Sequence, residues 1–163
     1  MTGSPHLTHV DTTGAARMVD VSGKDMSVRR AVAAGRVETT EEVVALVRAD
    51  ALSKGDALAV ARLAGIMGAK RTPDLVPLCH PIALHSVTVE LELRERRIEI
   101  TATTKTADRT GVEMEALAAV TAAGLALVDM VKAVDPAASI EAVRVLRKEG
   151  GRTGDWVRPA ERP

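Results

Sequence analysis

Residues 110–135, TGVEMEALAAVTAAGLALVDMVKAVD, constrain the fold of this chain more than any other stretch. Thr110 and Glu113 have the capping-box spacing, in which two side chains satisfy orphan backbone N–H groups, so the helix is expected to begin near Gly111. From Val112 to Val134 the run is apolar on nearly every face, with Pro136 as its first proline. A helix of this kind is buried all round. Its length, roughly 23 residues, would span a bilayer. Glu113, Glu115, Asp129 and Lys132 would be costly in lipid, which makes it a core helix of a protein that does not enter the membrane. Asp129 and Lys132, three residues apart, share one helical face. Either they form a solvated ion pair, or partial burial tunes them for proton transfer.

The remainder of the chain supplies partners for this helix. SVTVELEL and IEITATT alternate cleanly around the polar turn RERR, the pattern of an antiparallel hairpin with one buried face. SIEAVRVLRK reads as a further strand, and residues 15–38 hold weaker extended runs. T-x-x-E spacing at Thr39 and Glu42 opens an expected helix over residues 39–52. Box spacing at Ser53 and Asp56 opens another that runs to about Arg71. On that reading Lys54 and Gly55 lie at a helix N-terminus, where anions bind favourably. RTPDLVPLCHPIALH has too many prolines for a regular helix and is expected to be an ordered loop. Helices and strands that cluster without alternating strictly predict an α+β fold, with helices packed on one face of a mainly antiparallel sheet. One domain accounts for residues 1–163, with residues 1–14 and 152–163 expected to be mobile, and His6 and His9 are given no role.

Composition narrows the function. The 22 basic and 22 acidic residues balance, so no overall field favours nucleic acid or an anionic membrane. With one Cys there is no internal disulfide, and MTGSPHLTHVDTTG lacks the apolar segment of a signal peptide, which points to the cytoplasm. Phe and Tyr are absent and Trp156 is the sole aromatic residue, so the core must come from Val, Leu, Ile, Ala and Met. Stacking of a base on an aromatic ring is nearly excluded on this composition, and ligand recognition is expected to be polar. Cys79, His80 and His85 lack the paired spacing of a zinc motif, and no metal is expected. No glycine-rich phosphate loop occurs either, so a bound phosphate would rest on lysines and helix starts. The residues alone lead to a polar site for an anion, in an enzyme or in a nucleotide-sensing module.

SKGD, AKRTPDLVPLCHP, TGVEMEAL and DMVKAV, in this order, resemble the molybdenum-cofactor biosynthesis protein C family, the cyclic pyranopterin monophosphate synthases. The resemblance runs from LTHVD to GGRTGDW. It implies a ferredoxin-like fold in a homohexamer, a trimer of dimers, with active sites at subunit interfaces and no cofactor. It also implies a lyase that converts (8S)-3′,8-cyclo-7,8-dihydroguanosine 5′-triphosphate into cyclic pyranopterin monophosphate with release of pyrophosphate. By that resemblance Asp129 is the catalytic aspartate, with Lys132 and Lys54 as active-site lysines. Leu78, Cys79 and His80 form one substrate-binding segment and Glu113, Met114 and Glu115 the other, while Arg29 and Lys148 meet the phosphates. The segment Cys79–His80 of one subunit is expected to face the Glu113 and Asp129 region of another. Arg109 stands where the family more often has Lys, keeping the charge but changing its geometry.

Overall fold

The structure is a computed structural model that describes residue 10, residues 13–152 and residues 154–159; His6 and His9 lie outside the described residues. Its elements in chain order are β1 (Ser27–Glu38), α1 (Glu41–Arg48), α2 (Ala57–Lys70), α3 (Thr72–Leu75), β2 (Ser86–Leu93), β3 (Arg97–Asp108), α4 (Glu113–Val131), β4 (Ser139–Glu149) and β5 (Trp156–Val157). The strands form one antiparallel sheet in the order β2-β3-β1-β4-β5. Two split β-α-β units, one crossing through α2 and the other through α4, give its first four strands the ferredoxin-like arrangement. The expected α+β architecture is therefore the observed one.

Strand periodicity decides which side of the sheet the helices cover. On β1 the buried positions are Ala31, Ala33, Gly35 and Val37, and on β3 they are Ile98, Ile100, Ala102, Thr104 and Thr106. The alternate residues of β1, Val28 to Glu38, lie on the opposite face, where Arg36 pairs with Glu38 and Glu141. α2 and α4 pack on the inner face, and the core there consists of Val, Ile, Leu, Ala and Met side chains, with no aromatic among them. Two buried threonines of β3 fix the surrounding loops. Thr104 Oγ1 donates to the carbonyl of Val112 at 2.9 Å, and Thr106 Oγ1 donates to that of Ala83 at 2.6 Å.

The helix starts differ from their sequence-based positions by one to three residues. α4 begins at Glu113 with Val112 at its cap position and no capping side chain. Core packing sets this start, because Val112 is buried and its carbonyl is held by Thr104, while Glu113 turns toward Lys148 Nζ at 3.5 Å instead of closing a box with Thr110. α1 is capped by Thr40, whose side chain accepts from Val43 N. Thr39 is drawn away, donating to Asp135 Oδ2 at 2.8 Å in a buried contact. Asp56 caps α2, so Lys54 and Gly55 sit in the turn before the helix and not within it. Gly55 takes a left-handed φ of +90° in that turn, a conformation costly for any residue with a Cβ. The proline-rich segment contains one helical turn, α3, with Pro73 in the first turn, where its missing N–H costs nothing. Trp156–Val157, in the expected mobile tail, pairs with β4 as a short edge strand.

α4 is long and apolar enough to cross a membrane by length and composition. In this fold it is a core helix, with Ala116, Ala119, Val120, Ala123 and Leu127 fully buried. The expectation of burial all round holds on three sides only. Leu125 is 61% exposed and shares the outer face of α4 with Met114, Asp129 and Lys132. Small residues bring α2 and α4 together in antiparallel fashion. A Cβ built on Gly68 would lie 2.5 Å from Ala122 Cβ and 3.0 Å from the backbone oxygen of Ala118. Gly68→Val must force the helices apart and is expected to destabilise the fold by about 3 kcal/mol. A lower urea midpoint with an unchanged slope would register that loss, and an unchanged midpoint would mean that the helix contact is not tight.

Candidate active site

The antiparallel pairing of α2 with α4 delivers chemistry to both ends of α4. The turn before α2 carries Lys54 to the C-terminal end of α4, and the loop after α2 carries Leu78, Cys79 and His80 to the N-terminal end. Two clusters result. They are separated by the length of the helix between Glu113 and Asp129, roughly 24 Å at about 1.5 Å per residue.

At the C-terminal end two lysines clasp Asp129. Lys132 Nζ lies 2.7 Å from Asp129 Oδ1, and Lys54 Nζ lies 2.9 Å from Oδ2 and 2.7 Å from the Asp129 carbonyl. The hydrogen bond from Lys132, followed by that from Lys54 and the charges of both, holds the carboxyl down at about 2. Within the single chain it is these two lysines and not burial that tune Asp129, whose side chain is 57% exposed. At neutral pH this end therefore presents a carboxylate and two ammonium groups, with a net positive charge.

The N-terminal end holds a cleft of about 330 Å³, lined by Leu78, Cys79 and His80 on one side and by Glu113, Met114 and Glu115 on the other. His80 Nε2 is 2.8 Å from the carbonyl of Val19. A carbonyl only accepts, so Nε2 carries the proton, and in the neutral ring Nδ1 is left as the acceptor. Glu115 is 3% exposed. Burial pushes its carboxyl up to about 7, against a hydrogen bond from its own backbone N–H, and the charge of Glu113 pushes it further in the same direction. Burial also raises the Cys79 thiol, with Glu115 and then Glu113 adding to the effect. Cys79 is thus a neutral thiol at pH 7, unlike the thiolate of an activated nucleophile. His85 Nδ1 turns elsewhere, accepting from the N–H of Ala107 at 3.4 Å. Among the described residues no three His, Cys, Asp or Glu side chains are grouped to hold a metal ion.

The raised Glu115 carboxyl makes stability depend on pH in a definite direction. The folded protein holds this proton up to about pH 7, whereas the unfolded chain releases it near 4.5, so stability falls as pH rises between those values. Glu115→Gln is expected to remove this dependence and to exceed the wild type in stability at pH 8 by up to ~3 kcal/mol. Urea unfolding of both proteins at pH 5 and pH 8 measures the difference. Parallel losses in the two proteins would mean that Glu115 is not the group responsible.

Cations border the cleft. Lys24 lines both it and a neighbouring hollow of about 350 Å³ that also contains Arg29 and Arg152. Arg29 Nη2 donates to the carbonyl of Arg109, and Arg109 Nε donates to the carbonyl of Lys24 at 2.8 Å, so Arg109 ties this segment to the end of β3. On the other side Lys148 meets Glu113. Within the single chain Glu113 thus lines the same cleft as Cys79 and His80. Lys24 and Arg152 were not singled out in the sequence, nor were Val19 and Val21, which also line the cleft and lie outside any named helix or strand.

Comparison with known proteins places the chain in a family. Residues 18–151 match the MoaC family. The cyclic pyranopterin monophosphate synthase of Streptomyces coelicolor is 61% identical over 93% of this chain and 89% of its own length. The protein of the same name from a Nocardioides species is 60% identical over 98% of this chain and 100% of its own length. That from Streptomyces griseus is 58% identical over 98% and 97%. At this similarity over nearly the whole length, the chain belongs to the MoaC family as an enzyme of molybdenum-cofactor biosynthesis.

Proposed function

We propose that the chain converts (8S)-3′,8-cyclo-7,8-dihydroguanosine 5′-triphosphate into cyclic pyranopterin monophosphate and pyrophosphate, as a cytoplasmic lyase. The observation that carries this reading is the cleft at the N-terminal end of α4, where carboxylates and cations lie side by side. A guanine-derived ring offers N–H donors that Glu113 and Glu115 accept, and a triphosphate is met by Lys24, Arg29, Arg152 and Lys148. His80 and the backbone of residues 78–80 position the ring against the acidic wall.

Asp129 exchanges protons while the ring is opened and rebuilt. Clasped by Lys54 and Lys132 it is a weak base, and it strengthens when substrate anions draw either lysine away. Lys54 neutralises charge that develops during cyclisation. Attack of a sugar-derived hydroxyl on the innermost phosphorus then forms the cyclic phosphate and expels pyrophosphate, with the cations stabilising the departing oxygens. Glu115, its carboxyl held up at about 7, exists in both protonated and ionised forms at neutral pH and so passes a proton as readily as it accepts one in the wall of the cleft.

The separation of the two clusters along α4 means that one chain alone does not bring Asp129 to a ring held by Glu113. The outer helix surface supports a shared site, since Val60, Leu63, Met67 and Leu125 leave apolar area exposed there, an arrangement typical of interaction surfaces. A homohexamer, a trimer of dimers, covers this surface and brings Asp129 of one copy to the cleft of another.

Incubation of the purified protein with the cyclised nucleotide tests the reaction. One pyrophosphate is expected for each pterin detected by fluorescence after oxidation. Binding without pyrophosphate release would identify a nucleotide-sensing module instead.

A further inference from the structure

The one indole of the chain lies beside the candidate site. The turn after β4, in which Gly150 N donates to Asp155 Oδ1 and Gly154 N donates to the Gly151 carbonyl, folds the tail back so that Trp156 pairs with Lys148. Residues opposed in a sheet project to the same side. Lys148 in turn opposes Ala31, a buried position of the helix-covered face. Trp156 and Lys148 therefore share the helix side of the sheet, where with Glu113 and Val145 they line a cleft of about 300 Å³. Glu113 also belongs to the cleft of Cys79 and His80, so the two hollows adjoin.

The ring is held in place. Arg158 stands over it at 5.7 Å from the centroid, while Arg158 Nε donates to the Val145 carbonyl and its N–H to that of Leu146. Trp156 remains 37% exposed with Arg158 over it and lines this hollow, so indole surface is left there for a planar partner. An indole next to an acidic and a basic side chain suits a flat, polar heterocycle better than it suits a phosphate chain.

We propose that Trp156 is a substrate-contacting residue whose indole packs against the guanine-derived ring, with Arg158 behind it. It runs against the compositional expectation that stacking of a base on an aromatic ring is nearly excluded. It rests on the functional reading above, and it adds a ring contact which that reading does not require.

Because Trp156 is the only tryptophan, the intrinsic fluorescence of the unmutated enzyme reports on this ring alone. Titration with GTP is expected to give a saturable change that inorganic tripolyphosphate does not reproduce. With the cyclised nucleotide, Trp156→Ala is expected to raise KM about tenfold with a smaller effect on kcat, and Trp156→Phe to recover most of the loss. Thermal midpoints of both variants establish that they fold, and the fluorescence measurement needs no variant. The same change with GTP and tripolyphosphate, no change with GTP, or a wild-type KM in Trp156→Ala overturns the contact. Failure of the wild-type enzyme to release pyrophosphate overturns the functional reading instead.

Discussion

Asp129→Asn is expected to lower kcat by about 10²–10⁴-fold, the range for loss of a positioned proton carrier, while nucleotide affinity changes little. The substitution preserves shape and one side-chain acceptor, so Lys132 keeps Oδ1 while Lys54 keeps the backbone carbonyl of residue 129. Stability should hardly move, because all three side chains are substantially exposed and exposed ion pairs contribute little. Single-turnover pyrophosphate release separates the chemical step from binding. A variant that releases pyrophosphate at the wild-type rate would remove Asp129 from acid–base catalysis. The pH profile offers an independent check. With its carboxyl at about 2 in the free enzyme, Asp129 stays ionised throughout the working range and sets no acid limb above about pH 4 in the kcat/KM profile, whereas substrate that draws a lysine away raises its limb in the kcat profile.

What could be read from the sequence followed the strength of each local pattern. The alternation in SVTVELEL and IEITATT placed the hairpin because each strand has one face against the core, and the register Val89 to Ala102 and Leu91 to Ile100 bears this out. The long apolar helix was equally plain. Cap positions were less so, since T-x-x-E fixes a spacing but not which oxygen the core leaves free. Thr39 is captured by Asp135, and the α4 start is set by burial of Val112. The same limit applies to the candidate site. PLCHP and TGVEMEAL stand out as motifs, yet only the antiparallel contact of α2 with α4 explains why they line one cleft in one chain. Lys24 and Trp156 carry no periodic signal, and what brings one to the cleft and the other to the hollow that adjoins it is the path of a loop and a glycine turn. Exposure of Asp129 was also beyond local pattern, because an apolar helix does not announce which stripe its neighbours leave open.

Mixing two inactive variants should recover activity, and the reason is the length of α4. His80→Ala damages the cleft at the N-terminal end of the helix, removing the imidazole that bonds Val19. Asp129→Asn damages the other end, roughly 24 Å away along the axis. If each working site combines the cleft of one copy with the aspartate of another, every homo-oligomer of a single variant is inactive at every site. A mixed oligomer differs: wherever the intact cleft of an Asp129→Asn chain meets the intact aspartate of a His80→Ala chain, a complete site forms. Random mixing in equal amounts is expected to restore about a quarter of the sites, since each site draws its two halves independently from two kinds of chain. Subunits must be exchanged through reversible dissociation and the mixed species verified by mass before assay. Recovery that climbs with the extent of exchange supports the shared site, and verified mixed oligomers that stay inactive would place the whole reaction within one chain.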